Sequence, residues 1–459
     1  MTPQDCQTEI IQKTTGEIQT FLDELANGTS NYKSLHNLTE QVEHQYHNRF
    51  LVELIQNAHD AMNECDDHDN KGRLKILIVN DEAPYGSLYV ANDGQPFTRS
   101  NFESLSKLGQ SDKDPEKSIG NKGIGFRSVL EISTAPEIYS RISIQSKELD
   151  GYCFKFTPDV TNYFENPVRQ LLQGSDNVSN PLDEKTSLLD WGKGRLEKFR
   201  RLHGCQDGTW LKKELSYLSP YLLPIPINGS DKTSIVKKFE EQGYATVIRL
   251  PFKSESTRAR AIKATESLDE NTILFLNRVK SLSLNTVETQ RLVERRVDQC
   301  DDPHGGQFIT LEVIENGAES YAKKKYMLWT VTIGGEEKPE EREEIEKAVA
   351  EDELPGRWPE VTKAKVSLAV RTDSEPDKGL INIYLPTQVP TGCAAHFNGP
   401  FYGDMSRTNI DFGKKYNELI LKRIGRMAVE VILESLAGKD VEAARAIIDI
   451  LSPSSDSGQ

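Results

Sequence analysis

Apolar residues recur three and four positions apart over residues 1–35, where Ile10, Ile11, Ile18, Phe21 and Leu22 form one stripe. That spacing predicts an amphipathic helix followed by a polar turn. Residues 38–64 predict one or two further helices. In the last of them Leu51, Leu54, Ile55, Ala58 and Met62 share a face, while Glu53, Asn57 and Asp60 share nearly the opposite one. Leu74–Val79 and Ser87–Ala91 read as strands joined through Asp81–Gly86, with Pro84 and Gly86 as turn formers. A short helix is predicted from about Asn101 to Leu108, with Ser100 and Glu103 as a capping box and Gly109 at the C′ position. Phe126–Glu131 starts another helix, and hairpin-like strands around Glu137–Ser146 and Tyr152–Phe156 turn at Asp150-Gly151.

Residues 158–240 are polar and irregular, with helical patches near Arg195–Leu202 and Leu211–Leu218. Gly243–Phe252 is a strongly apolar strand, and charge rises over residues 253–268, where a boundary is placed. Apolar segments resume at Ile273–Leu276, Phe308–Ile314, Tyr326–Thr332 and Lys365–Val370. The acidic run Gly335–Glu346 reads as a solvated loop and helix start, Leu380–Leu385 as a buried strand and Tyr416–Leu436 as a long amphipathic helix. Helices and strands without regular alternation predict an α+β fold. The expected domains are residues 1–255, with an irregular insert at 158–240, then 256–451, then a polar, disordered tail at 452–459.

A chain of 459 residues suits two or three domains. Its formal net charge of −15 disfavours a chain that coats nucleic acid or an anionic membrane, though not one with a local basic groove. Cys6, Cys65, Cys153, Cys205, Cys300 and Cys393 show no pairing pattern, which suits buried thiols in a reducing cytosol. No signal peptide or membrane-length apolar run is present, so a soluble cytoplasmic protein is expected. Cys65–Asp69 reads as a solvated loop more simply than as a metal site, and Lys323-Lys324-Lys325 is too short for a nucleic-acid surface.

Three short segments carry candidate chemistry. On the helix near residue 55, a carboxylate and a carboxamide one turn apart, Glu53 and Asn57, can hold a hydrated magnesium ion and orient a water, or else form a plain solvated face. At Asn92-Asp93-Gly94, directly after a strand, a carboxylate can accept from an exocyclic amine and the glycine lets a planar base approach; an ordinary turn is the bland alternative. Gly120-Asn121-Lys122-Gly123-Ile124-Gly125, running into Phe126 and a helix start, offers backbone N–H groups and a lysine to phosphates, or is a surface loop.

Taken together in this order, the three segments resemble the GHKL superfamily of ATPases over residues of about 40–252. Glu53, Asn57 and Asp60 match its N-box, Asn92-Asp93-Gly94 its adenine-binding box and Gly120–Gly125 its phosphate-lid box, while Tyr244–Leu250 looks like the late strand whose threonine, here Thr246, closes the adenine pocket. Pro96 replaces the usual second glycine of the adenine box, and Asn92-Asp93 inverts the common order, so either residue can face adenine. The lead-in Gln45–Phe50, together with Leu385-Pro386, His396–Phe401 and Ser406–Asn409, is similar to the sacsin-like subgroup.

The resemblance implies a Bergerat α/β sandwich followed by a second α/β coupling domain. It implies ATP and Mg2+ as cofactors, with Glu53 as general base, Asn57 as magnesium ligand, Asp93 and Thr246 on adenine, and the 120–125 loop on phosphates. Arg407 is a candidate for the terminal phosphate; the simpler alternative is a structural arginine paired with Asp404 or Asp411. His44, His47 and His59 offer no acceptor histidine, which sets aside the kinase branch. The expected function is slow, Mg-dependent ATP hydrolysis that drives lid closure and domain rearrangement or homodimerisation, with a protein or nucleic-acid client in a chaperone-like or defence setting. A scaffold that ATP stabilises without turnover, as the N-terminal part of a larger protein, is the alternative.

Overall fold

A computed structural model of the chain describes residues 1–29, 31–33, 49–65, 71–82, 84–105, 125–173, 178–187, 198, 201–202, 208–299, 305–317, 322–373, 378–404 and 407–437. Among these the helices are α1 (Pro3–Asn27), α2 (Phe50–Asn63), α3 (Arg99–Leu105), α4 (Val160–Gln173), α5 (Gly208–Leu215), α6 (Ser234–Glu241), α7 (Glu255–Ser267), α8 (Pro339–Glu351) and α9 (Lys415–Ala437). The strands are β1 (Arg73–Val79), β2 (Ser87–Asn92), β3 (Glu137–Ser140), β4 (Phe154–Lys155), β5 (Ser179–Asn180), β6 (Asp183–Ser187), β7 (Ile225–Pro226), β8 (Thr246–Pro251), β9 (Ser281–Asn285), β10 (Gln290–Gln299), β11 (Gln307–Glu315), β12 (Ala322–Gly334), β13 (Lys363–Arg371), β14 (Leu380–Ile383), β15 (Leu385–Pro390) and β16 (Ala395–Asn398). The architecture is mixed α+β, and two compact units are distinguished: Met1–His47 with Ile78–Leu108 and Phe126–Ala261, and Asn48–Leu77 with Gly109–Gly125 and Ile262–Gln459.

In the first unit, α1 opens with a reciprocal cap. The Asp5 N–H donates to the Thr2 hydroxyl and the Thr2 N–H donates to the Asp5 carboxylate, with Pro3 in the first turn. The helix ends at Gly28, whose φ of 70° suits glycine. Its buried stripe of Ile18, Phe21, Leu22 and Leu25 packs with Val160, Phe164 and Val168 of α4 and Leu211 and Leu215 of α5. The strands run in the order β2-β8-β3-β4-β7, all antiparallel. Central β8 is held by charge as well as by its ladder. Arg249 donates to Glu82 at 3.0 Å and to Glu137 at 2.8 Å, and the hydroxyls of Tyr89 and Tyr139 donate to the same two carboxylates. A half-buried guanidinium gains from that many partners, and together they tie β2, β8 and β3 to one another.

In the second unit the strand order is β15-β14-β16-β13-β12-β11-β10-β9-β1. Neighbours are antiparallel except β1 with β9 and β14 with β16. Helices α8 and α9 cover the β12–β13–β16 region through Ile345, Val349, Tyr416, Ile420, Ile424 and Val431. The acidic start of α8 is placed well for its dipole, with Glu340 and Glu341 in the first turn.

Several boundaries differ from the sequence expectation for identifiable reasons. The capping box of α3 is made by Thr98 and Asn101, whose N–H groups and side-chain oxygens exchange bonds of 3.2 and 2.9 Å, while Glu103 pairs instead with Arg99. The helix therefore begins earlier than expected. Gly125–Glu131 is a 3-10 helix, not an α-helix; Lys253 donates through Nζ to the Leu130 carbonyl within it and through its N–H to the carbonyl of Ile132 just after it. The strand expected over Leu380–Leu385 breaks at Tyr384, where φ is 61°, into the β14–β15 hairpin. Helix α4 lies in a region read as irregular, because Pro167 inside it masks the period. Gly109, the Arg195–Glu197 part of the expected patch and the tail at 452–459 lie outside the described residues.

Gly86 closes the β1–β2 turn with φ of 85°, and a Cβ there would meet the Val79 carbonyl oxygen at 2.3 Å. Gly28 has a similar φ but open space around it, with Leu202 nearest at 4.0 Å. Gly86→Ala should therefore lower unfolding free energy by more than Gly28→Ala, for which only the left-handed backbone counts, about 1–2 kcal/mol. Urea midpoints of the two variants check this ranking, and equal losses would contradict it.

Candidate functional site

Helix α2 belongs to the second unit and is buried on two sides. Leu51, Leu54, Ile55, Ala58 and Met62 form the expected apolar face, all at most 3% exposed. The polar stripe is not solvated: Glu53 is 4%, Gln56 1% and Asp60 2% exposed, with Asn57 half-buried beside them. Polar groups are placed there only against a chemical requirement, since their desolvation costs free energy unless they find partners.

His59 supplies one anchor for this helix. Its Nε2 lies 3.1 Å from Asn277 Oδ1, and its Nδ1 lies 3.2 Å from Asn63 Nδ2. The two partners together select the neutral ring, with Nε2 donating and Nδ1 accepting. Burial pushes the imidazole below its ordinary value of 6.5, while Asp60 and the Asn277 bond oppose the shift and Arg278 and Arg295 add to it.

Arg407 is a second partner of α2. It sits on a turn in which Gly403 bridges to Ile410, its φ is 53°, and its side chain is 5% exposed. Its Nη1 donates to Gln56 Oε1 at 3.0 Å, across 351 positions of sequence. Asp404 serves the turn: its carboxylate accepts from the Thr408 N–H and hydroxyl, both at 3.0 Å, and from Asn409. Asp411 accepts from the Gly413 N–H. Tyr384 joins the same group. Burial pushes its phenol up to about 12, with Asp60 adding to the shift and Arg407 opposing it.

In the first unit, β2 ends at Asn92, which pairs with Thr246 of β8. The Asn92 carboxamide oxygen accepts from the Gly94 N–H at 3.0 Å and its main-chain carbonyl accepts from Ala245 at 2.9 Å, so Asn92 shapes the turn. Asp93 brings the carboxylate next to it, 7% exposed. Ser140, at the end of β3, ties these pieces together: its hydroxyl is 3.3 Å from that of Thr246 and accepts from the Phe97 N–H at 2.8 Å. Sequence reasoning missed Ser140, because nothing near it in sequence signals that β3 lies beside β8.

Gly120, Lys122, Gly123 and Ile124 lie outside the described residues; Gly125 opens the 3-10 helix, and Phe126 is half-buried. Gln56 was also missed, although it falls on the same helical stripe as Glu53 and Asp60. Cys6, Cys65 and Cys153 are buried. Among the described residues, no helix is long and apolar enough to cross a membrane.

The segment from before α2 to β4 has a counterpart among known families. Residues 32–159 match the family model of the Sacsin domain. The matched span includes Glu53, Asn57, Asp60 and the Asn92–Gly94 turn, and ends before Thr246 and Arg407. Protein NO VEIN of Arabidopsis thaliana is similar as well, at 36% identity over 108 residues, which is 23% of this chain and 3% of that protein.

The donors on α2 are oxygens, an amide and carboxylates. Among the described residues no cluster of three or more His, Cys, Asp or Glu side chains could hold a metal by itself. That donor set fits magnesium, which keeps several waters and is commonly completed by phosphate oxygens, rather than a metal in an all-protein cage.

The His59 geometry has a pH signature. The folded ring resists protonation, so below about 6.5 the unfolded chain binds more protons and stability falls with falling pH. It is fully present above that value. Urea unfolding of wild type and His59→Gln between pH 5 and 8 should show a shallower pH slope for the variant, and parallel slopes would contradict this reading.

Proposed function

We propose that this chain binds Mg-ATP and hydrolyses it slowly, in the manner of the GHKL ATPases it resembles. The observation that carries the proposal is the buried polar stripe of α2, which places Glu53 and Asn57 one turn apart and receives Arg407 at Gln56. The Sacsin domain match over the N-box and adenine-box segments supports the same reading.

Glu53 is the general base in this account, taking a proton from the attacking water. Asn57 holds Mg2+, whose charge neutralises the phosphates, and Asp60 completes the stripe. Asp93 accepts from the exocyclic amine of adenine, since the Asn92 oxygen already bonds Gly94, and Thr246 supports that contact. Backbone amides of Gly120, Gly123, Ile124 and Gly125, with Lys122 and the start at Phe126, receive the phosphates. Arg407 supplies positive charge to the terminal phosphate. Phosphoryl transfer asks mainly for positioning and charge stabilisation, so these groups suffice for the chemistry.

Under this reading residues of about 1–255 form a Bergerat sandwich and the following residues a coupling domain. Binding orders the lid and rearranges the domains, with homodimerisation and a protein or nucleic-acid client as the downstream events. The second reading, an ATP-stabilised scaffold, keeps the same binding residues without turnover.

Phosphate release at saturating Mg-ATP tests the choice. Glu53→Ala should lower turnover by about 100-fold or more while nucleotide affinity is retained. A wild type that binds ATP and releases no phosphate would favour the scaffold.

A further inference from the structure

Three polar side chains stand in a row on one face of the first unit's sheet. Asn92 of β2 is paired directly with Thr246 of β8, and Thr246 with Ser140 of β3. Directly opposed residues share a face, so these side chains are neighbours. All three are buried, Ser140 completely. The Asn92 oxygen is taken by the Gly94 N–H. The two hydroxyls lie 3.3 Å apart, and among the described residues Ser140 is the hydrogen-bond partner of Thr246 Oγ1.

What surrounds Ser140 sets the direction of these protons. A hydroxyl has one proton to give and two lone pairs with which to accept. The Phe97 N–H takes one lone pair of Ser140 at 2.8 Å, and an amide N–H cannot reverse its role. A hydroxyl that accepts such a bond becomes a better donor in turn. Its proton has two acceptors at 3.3 Å, the Arg141 carbonyl across a single peptide and Thr246 Oγ1. The second continues one chain of bonds, from the Phe97 amide through Ser140 to Thr246, and leaves the Thr246 proton for a further acceptor. We propose that Ser140 is a positioning residue for base specificity, turning the Thr246 hydroxyl into a donor toward the bound base. This rests on the reading of the Asn92–Gly94 turn as the purine site. Beside its amine, adenine carries an unprotonated ring nitrogen that accepts from Thr246. Guanine carries a ring N–H there and meets donor with donor, which leaves both unpaired. With the Ser140 proton spent on Arg141 instead, Thr246 would donate back to Ser140 and face the base as an acceptor, and guanine would be favoured.

The test titrates the full chain and Ser140→Ala with ATP, GTP and purine riboside triphosphate, which keeps the ring nitrogen but lacks the amine. The wild type should prefer ATP to GTP. Ser140→Ala should weaken ATP and purine riboside triphosphate alike, by about 10-fold, and leave GTP within about 2-fold, so that most of the preference disappears. In a Thr246→Val background, Ser140→Ala should cost no further preference. Ser140→Cys, which fills the same place with a weak donor, should lose the preference as Ala does and serves if Ser140→Ala is too unstable to titrate. Equal weakening of all three nucleotides would mark a serine that only supports the fold and would overturn the proposal, as would a wild type that prefers GTP. A wild type that binds none of the three removes the purine reading and this proposal together. Binding of ATP with its preference over GTP unchanged in Ser140→Ala removes the proposal alone.

Discussion

Helix α2 buries Leu54 and Ile55 on one side and Glu53, Gln56, His59 and Asp60 on the other, so its polar groups cannot rely on water. A helix with that burial is stable only if other elements bring hydrogen-bond partners to it. Asn277 meets His59, and Arg407 meets Gln56. Both partners come from hundreds of positions downstream, which gives the long second stretch of the chain a physical reason to fold around this helix. The strained backbones at Tyr384 and Arg407 fit the same constraint, because the contacts they make offset the cost of holding them.

The first unit solves a different problem, that of holding a turn still. The Asn92-Asp93-Gly94 turn follows β2, and β2 is registered against β8 by a ladder and by the Arg249 pairs with Glu82 and Glu137. Asn92 closes the turn by accepting from Gly94, and Ser140 links Thr246 to the main chain at Phe97. In this turn the Asn92 amide does the local work, whichever order Asn and Asp take. Pro96 in place of a second glycine is compatible with a turn fixed from Asn92 rather than by backbone freedom further on.

Much of this was legible in the sequence where the signal is periodic. The apolar stripe of α2, the strands β1, β2 and β8 and the long helix α9 follow from spacing alone, whereas the acidic run at 335–346 read only as a solvated loop and helix start, and α8 buries Ile345, Ala348 and Val349. The cap of α3 was misplaced because Thr98-Arg99-Ser100 offers two capping hydroxyls, and it is Thr98 that exchanges bonds with Asn101 while Glu103 is taken by Arg99. Helix α4 was hidden by Pro167, and the break at Tyr384 by apolar residues on both sides of it, Ile383 and Leu385. For the site, the residues on each local motif were readable, but Ser140 and Gln56 were not, since their roles come from pairings 106 and 351 positions apart. Arg407 stands out in the sequence with Asp404 or Asp411 as the simpler partner; the structure places its guanidinium on Gln56.

The most direct measurement of the central claim is titration calorimetry of ATP against the full chain, with and without Mg2+, beside Asp93→Ala. The account predicts saturable binding that needs Mg2+ for full affinity and weakens about 10-fold or more in Asp93→Ala, the loss expected for a hydrogen bond to a charged group. Absence of binding at millimolar ATP, or an affinity indifferent to both the metal and Asp93, would contradict it.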